Sequence, residues 1–327
     1  MRVLITGAAG FLGRALVDAC LQQGWEVRAA VRRHRGEPWP RGVEELVGDL
    51  TDQDFVQRSV SQVHGVIHAA ARVTTTGSWE DFASVNVRAT MALLQAARSA
   101  GVGTFVHVSS LSVYDVPADN STLTENSSYE SETNARGHYS RSKLAADRAV
   151  LWEARQGAPA LVLRPGLLWG PGRQPPLARQ IVAWRDWRFV LARKDYPLPL
   201  SHVRSVALAA VRGLEKGTVV TGRAFNVVDV HVPQKVWLDA YRELTGVRWR
   251  PVYLPVRLVA ASARAVEGTL RLLGRRSPLT YHQVARATRR AYYECASAES
   301  LLGWQPRTTW REDLREVLQS LQSSRGE

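Results

Sequence analysis

Three side chains in the middle of the chain have the types and spacing for proton chemistry at an alcohol or ketone oxygen. Ser110 closes an apolar run, Thr104-Phe105-Val106-His107-Val108, that continues into Ser109. Tyr139 and Lys143 open a helical pattern that runs on through Leu144, Ala145, Ala149 and Leu151. Four residues is about one helical turn, so the phenol and the amine project from one face. A tyrosine is a poor base at its unperturbed pKa of about 10, and a neighbouring ammonium favours the phenolate. Ser110 can hydrogen-bond the same substrate oxygen and fix its position. Singly, Tyr-x-x-x-Lys is a common coincidence of helices and Ser-Ser an ordinary strand end, so the reading depends on the elements that would position them.

Those elements begin at the first residues. An apolar run (Val3, Leu4, Ile5) feeds into Thr6-Gly7-Ala8-Ala9-Gly10-Phe11-Leu12-Gly13, and a helical pattern (Ala15, Leu16, Ala19, Leu21) follows. A glycine-rich turn between strand and helix brings bare backbone close to a pyrophosphate, with free N–H groups and the positive helix end holding the charge. Gly7, Gly10, Phe11 and Leu12 are therefore candidate dinucleotide contacts. A second strand, Glu26 to Arg32, ends on Arg32 and Arg33, where such a fold places its ribose-reading residue. No carboxylate stands there. An NAD enzyme usually offers one, whereas a guanidinium grips a 2′-phosphate through paired charge-assisted bonds. NADP(H) is thus the favoured cofactor, with Arg32 its reader ahead of Arg33 and NAD(H) the alternative. Further strands are read at Leu46 to Leu50, at Gly65 to Ala71, ending on small residues against which a flat ring or phosphate can lie, and at Thr104 to Val108. Helical patterns separate them, including Asn86 to Ala100. This alternation predicts an α/β fold with a Rossmann-type, doubly wound parallel sheet.

From Asp115 to Gly137 the composition turns polar and aperiodic, which predicts a long loop near the carboxyl ends of the strands. A strand follows at Ala160 to Leu163, broken into loop from Arg164 to Gly172. Helices are expected at Leu177 to Trp184, Val203 to Leu214 and Gln234 to Thr245, with a strand at Ala224 to Val228. Residues 1–172, joined by about 201–230, form the expected nucleotide domain. About 173–200 and 231–327 form a smaller, mostly helical substrate region. Within 254–276, Leu258, Ser262, Val266, Leu270 and Leu273 make one apolar stripe, while Arg257, Arg264 and Arg271 recur on another face. Such a helix either covers a core or meets a membrane surface.

The formal charge is +13, with fourteen Arg against six Asp or Glu between Arg242 and Arg315. No zinc spacing, Lys-rich tail or aromatic-basic motif accompanies it, so nucleic acid is not an expected partner. Cys20 and Cys295 stand alone and far apart, which excludes a disulfide framework and a cysteine metal cluster. No apolar run reaches membrane-span length, and the first strand begins almost at Met1, so the expected compartment is the cytoplasm, with peripheral membrane contact through 254–276. A homodimer is expected.

With these motifs in this order, the chain resembles the extended short-chain dehydrogenases/reductases, the family of nucleotide-sugar epimerases and 3-beta-hydroxysteroid dehydrogenases. The resemblance covers nearly the whole chain: TGAAGFLG, GDLTD around Asp49, HAAA at 68–71, NVRAT at 86–90, VSSLSVY at 108–114, YSRSK, and RPGLLWGPG from Arg164. It implies that Ser110 is the catalytic serine, Tyr139 the acid/base, and Lys143 the residue that binds ribose and lowers the tyrosine pKa. It also implies that Asp49 and Leu50 flank adenine, that Ala69, Ala70 and Asn86 belong to the cofactor site, and that Pro165, Gly166 and Leu167 lie near the nicotinamide.

Departures from the family narrow the activity. Dehydratases carry an Asp-Glu pair directly after the catalytic Ser or Thr, where this chain has Leu111 and Ser112. Epimerases commonly show an Asp-rich turn before the late helix, where this chain has His202-Val203-Arg204-Ser205. LPVRLVAASARAVEG, SPLT and LLGWQP look similar to the steroid dehydrogenase, sterol-carboxylate dehydrogenase and oxoalkanoate reductase branch. The expected reaction is the interconversion of a secondary alcohol and a ketone on a lipophilic substrate. A nucleotide-sugar epimerase or reductase and a non-catalytic NADP-binding regulator are the alternatives.

Overall fold

The computed structural model describes residues 1–327 except 75, 132–136, 177–180, 185, 191–192, 273–288 and 324–327. The chain opens with β1 (Arg2–Thr6), α1 (Phe11–Gln22), β2 (Glu26–Val31), β3 (Val43–Val47), α2 (Gln53–Val60) and β4 (Gly65–His68). It continues through α3 (Trp79–Ala83), α4 (Ala89–Ser99), β5 (Thr104–Val108), β6 (Ser121–Leu123), α5 (His138–Arg155) and β7 (Ala160–Pro165). One seven-stranded sheet has the order β12-β7-β5-β4-β1-β2-β3, β12 being Ala224–Val227, and every neighbouring pair in it is parallel.

The strands are near-continuous apolar runs because both sheet faces are covered. On one face Val3, Ile5, Val106, Val108 and Leu161 pack with Leu16 and Val17 of α1 and with Val206 and Val211 of α6 (Val203–Lys216). On the other, Leu4, Val66, Phe105 and Val162 pack with Phe55 of α2, Leu93 of α4 and Val150 of α5. From β1 the chain moves outward to β2 and β3, then returns to lay β4 on the opposite edge of β1. That reversal opens a crevice beyond the carboxyl ends of β1 and β4, the position where such sheets take ligands.

The rest of the chain builds a second core around Trp169, Leu198, Leu200, Trp237 and Leu314. Beside its helices it carries short strands: β8 (Leu167–Trp169), β9 (Ile181–Trp184), β10 (Trp187–Val190), β11 (Pro197–His202), β13 (Val230–Pro233) and β14 (Arg250–Tyr253). These form the sheets β13-β11-β8 and β14-β10-β9. The helix expected over 177–184 is thereby corrected: 181–184 is β9, antiparallel to β10, and 177–180 lie outside the described residues. A short apolar run does not by itself separate helix from strand, and here the neighbouring strand decided it. Likewise β7 runs through Arg164 and Pro165 and passes almost directly into β8. The polar loop 115–137 contains β6, whose partner is β15 (Ala291–Tyr293), far along the chain. The LLGWQP stretch is anchored on α6 by Trp304, whose indole donates to the Ser205 carbonyl at 3.0 Å.

Helix α7 (Gln234–Thr245) falls where its pattern predicts, and α8 spans Val256–Leu272. Among the described residues the apolar stripe of α8 is largely exposed. Leu258 is 64% exposed and Val266 49%, Leu270 is half-buried, and Leu273 lies outside the described residues.

Candidate active site

The glycine-rich turn closes tightly over the end of β1. Gly7 has φ +69°, and a Cβ there would stand 2.9 Å from backbone atoms of Ala70, just past the end of β4. A Cβ on Gly13 would stand 2.0 Å from the Gly7 carbonyl oxygen, which accepts the Gly10 N–H at 2.9 Å. Helix α1 starts at Phe11 with Gly10 as its cap, no side-chain capping bond and no acidic residue in its first turn. The Leu12 side chain enters the core while its backbone stays at the turn. The Ala70 N–H donates to Thr6 Oγ1 at 3.2 Å, which holds the small residues Ala69 and Ala70 beside the turn. A cradle that a single methyl would fill, at an uncapped, acid-free helix start, fits a dinucleotide pyrophosphate.

At the end of β2, Arg32 and Arg33 are exposed. The acids of the following loop are engaged elsewhere. Glu45 takes His34 Nδ1 at 2.7 Å and the Trp39 indole, and Glu37 takes Arg35, whose guanidinium stacks 4.6 Å over the Trp39 ring. Asp49 lies two residues beyond β3 and accepts the Thr51 N–H and hydroxyl, both at 2.8 Å. Those bonds hold its carboxyl below the usual range, with the charge of Arg32 a smaller contribution. Leu50 packs at the edge of the core.

Ser110 stands immediately beyond β5, where its Oγ accepts the Ser112 N–H at 3.1 Å and starts a 3-10 turn, Leu111–Val113. Its hydroxyl also hydrogen-bonds the Tyr139 side chain. Burial pushes the Tyr139 phenol up from its ordinary value, and the Ser110 bond opposes this. Lys143 is buried one turn further along α5, with Nζ donating to the Val108 carbonyl at 2.8 Å. Burial lowers it to about 8, opposed by the charge of Asp147. Beneath it His68 and His107 stack at 5.6 Å. Burial first, and the Lys143 charge second, bring His68 to about 3 and His107 well below its ordinary value, so both rings are neutral. Burial and the Ser110 bond are the causes of the Tyr139 shift, and the Lys143 charge is not among them. The ammonium turns to a backbone carbonyl, and desolvation leaves Tyr139 protonated at neutral pH.

Asn86 stands on a π-turn, Ser84–Arg88, and is 2% exposed. Its amide donates to the Arg72 carbonyl at 3.1 Å and to Ser142 Oγ at 2.8 Å, and its carbonyl accepts the Arg72 N–H at 2.7 Å. These bonds tie the segment after β4 to α5. Pro165 is buried at the end of β7, and the Gly166 N–H donates to Ser201 Oγ at 2.8 Å. Gly166 approaches β11 so closely that a Cβ would stand 2.3 Å from the Pro199 carbonyl oxygen.

Sequence reasoning missed a buried network directly behind the triad. Arg164 donates Nε and Nη2 to the Asp147 carboxylate at 3.0 and 2.7 Å, Nη2 to Tyr129 Oη at 2.7 Å, and Nη1 to Tyr114 Oη at 2.7 Å and to the Glu125 carbonyl at 3.3 Å. The available signal was the spacing of Tyr139, Lys143 and Asp147, which puts two charges on the buried face of one helix.

A Ser110–Tyr139 hydrogen bond beyond β5 and a glycine cradle beyond β1 stand at the carboxyl ends of strands of one parallel sheet, an arrangement that fits a nicotinamide-dependent oxidoreductase. The chain belongs to the NAD dependent epimerase/dehydratase family, whose model matches residues 3–227. It is 26% identical to the 2-alkyl-3-oxoalkanoate reductase of Stenotrophomonas maltophilia, over 97% of this chain and 98% of that one. It is 32% identical to sterol demethylase protein B of Methylococcus capsulatus, over 87% of each chain. Its fold is similar to the crystal structure of gox2253, with a TM-score of 0.85, 23% identity and 98% of each chain covered. The protein is an NAD(P)-dependent enzyme of the short-chain dehydrogenase/reductase type. Among the described residues no helix is long and apolar enough to cross a membrane, and no cluster of three or more His, Cys, Asp or Glu could hold a metal ion.

Proposed function

We propose that this enzyme interconverts a secondary alcohol and a ketone on a lipophilic substrate of the 3-beta-hydroxysteroid, sterol or long-chain 3-oxo acid type, with NADP(H) as its cofactor. The observation that carries the reading is the Ser110–Tyr139 hydrogen bond beyond β5, with Tyr139 held protonated. A bound nicotinamide supplies or accepts the hydride. In the reducing direction Ser110 positions the carbonyl oxygen and Tyr139 donates its proton to it. Lys143, one turn further along α5, would hold the ribose of the bound nucleotide. The substrate class is supported by the names of the two curated relatives and by the absence of the Asp-Glu pair after Ser110. The region 173–200 and 231–327 would hold the substrate body. Following nicotinamide absorbance with hydrophobic ketones and alcohols and with nucleotide sugars tests the reading: turnover of nucleotide sugars alone would refute the lipophilic class.

The cofactor preference rests on Arg32 and Arg33, which stand exposed where a carboxylate would repel a 2′-phosphate, while Glu37 and Glu45 are held by other partners. Arg32→Asp is expected to remove a native preference for NADP(H) of about tenfold or more, because it exchanges a phosphate-gripping fork for a like charge. The ratio of kcat/KM for the two cofactors, in native and variant protein, measures it. A native preference for NAD(H), or an unchanged ratio in the variant, would contradict the assignment.

The exposed stripe of α8, on a chain of charge +13, suits an anionic bilayer surface near which a lipophilic substrate would be taken up. Co-sedimentation with anionic liposomes is expected at low salt and should weaken as salt rises. No binding at low salt would rule the contact out. We also propose that the protein is a homodimer, which sedimentation equilibrium would settle.

A further inference from the structure

We propose that Asp147, clamped by Arg164, is a positioning residue for the catalytic centre: its buried carboxylate keeps the Lys143 amine charged at the pH where the enzyme works. The proposal rests on the reading of Lys143 as part of that centre and adds to it the group that sustains its charge.

Lys143 and Asp147 are four residues apart on α5 and both are buried, so their side chains share one face about one turn apart. The groups that bear on Lys143 are few. From β4 and β5 come His68 and His107, both neutral, and from α5 comes Tyr139, protonated. Asp147 is the acidic group whose charge acts on the amine. From β7, Arg164 is turned to Asp147 and to the two tyrosines, with all five of its N–H donors engaged. Asp147 Oδ1 also accepts the Tyr129 hydroxyl at 2.9 Å, so the carboxylate cannot swing towards or away from the lysine.

A buried ion pair is a costly way to pin a helix to a strand, since apolar residues of similar volume do so as well or better. It differs from an apolar clamp in supplying a fixed charge where screening is weak. The same guanidinium reaches Tyr114, which follows the 3-10 turn begun by Ser110, so one network spans the segment carrying Ser110 and the helix carrying Tyr139 and Lys143.

The chain has only four lysines, Lys143, Lys194, Lys216 and Lys235, and the last three are exposed. Full-length protein labelled with [ε-13C]lysine therefore gives a small set of NMR signals whose titration needs no substrate. In native protein Lys143 is expected to titrate at about 8. Asp147→Asn is expected to lower the Lys143 midpoint further, by about one pH unit or more, and Asp147→Glu to restore part of it. Tyr129→Phe removes a hydrogen bond from the same carboxylate without removing charge, so it should leave the midpoint in place. If Asp147→Asn does not fold, Asp147→Asn combined with Arg164→Gln removes both charges, and a smaller lowering of the Lys143 midpoint is expected because a cation is lost with the carboxylate. An unmoved Lys143 midpoint, or a shift in Tyr129→Phe as large as in Asp147→Asn, would overturn the proposal and leave the pair merely structural. Native protein that turns over no ketone would count against the proposed function, while leaving the lysine titration to decide this point.

Discussion

Replacing Tyr139 with Phe is expected to lower kcat by about a hundredfold or more while leaving the cofactor dissociation constant nearly unchanged. The variant keeps the ring that fills its place on α5 and loses only the hydroxyl that Ser110 holds. Without it the acid that would give the carbonyl oxygen its proton is gone, and the aliphatic Ser110 hydroxyl is a far weaker acid. Lys143→Ala should behave differently, weakening cofactor binding as well as turnover, if the amine holds ribose as the resemblance implies. Single-turnover rates and cofactor titration by fluorescence separate the two patterns. A Phe variant that kept most of its activity would remove Tyr139 from the reaction.

The second large effect is expected at Gly13. A methyl there would stand 2.0 Å from the Gly7 carbonyl oxygen and 2.6 Å from the Ala8 carbonyl oxygen, both of them backbone atoms of the cradle itself. Gly13→Ala must therefore push the turn away from α1, an overpacking that costs about 1–3 kcal/mol and misplaces the N–H groups that would meet the pyrophosphate. Cofactor affinity should fall on the order of a hundredfold, for NAD(H) and NADP(H) alike, with a lower melting temperature. Gly268→Ala is the control, because a Cβ on that α8 glycine meets nothing within 4 Å and alanine favours helix there. Calorimetric titration reads both variants. Equal affinity in native and Gly13→Ala protein would mean that the turn does not hold the cofactor.

The parallel sheet was legible because each strand is a short apolar run bounded by glycine or polar residues, and α5 because Tyr139 and Lys143 introduce a continuous helical period. The turn at Gly7 could be read from glycine spacing, although its cause, the 2.9 Å approach to Ala70, needs the fold to bring β1 beside β4. What escaped was built from distant partners. Residues 181–184 became strand because β10 lies beside them, and β6 because β15 does. That the Asn86 amide joins Arg72 to Ser142 follows only from the packing of α5 against the segment after β4. Arg164 read as a strand breaker next to a proline, whereas burial made it the centre of an ion-pair network. For a similar reason the sequence gives the lysine one turn from Tyr139 but not the burial that raises its phenol.

The central claim is a net hydride transfer between nicotinamide and a lipophilic ketone, and isotope tracing tests it most directly. The native enzyme is incubated with NADPH deuterated at both C4 positions and a hydrophobic ketone, either a 3-oxosteroid or a long-chain 3-oxo acid, and the product is analysed by mass spectrometry and NMR. The expected result is one deuterium on the new carbinol carbon per NADPH consumed, abolished in Tyr139→Phe. No label transferred to any such ketone, together with interconversion of nucleotide sugars without net cofactor consumption, would contradict the account.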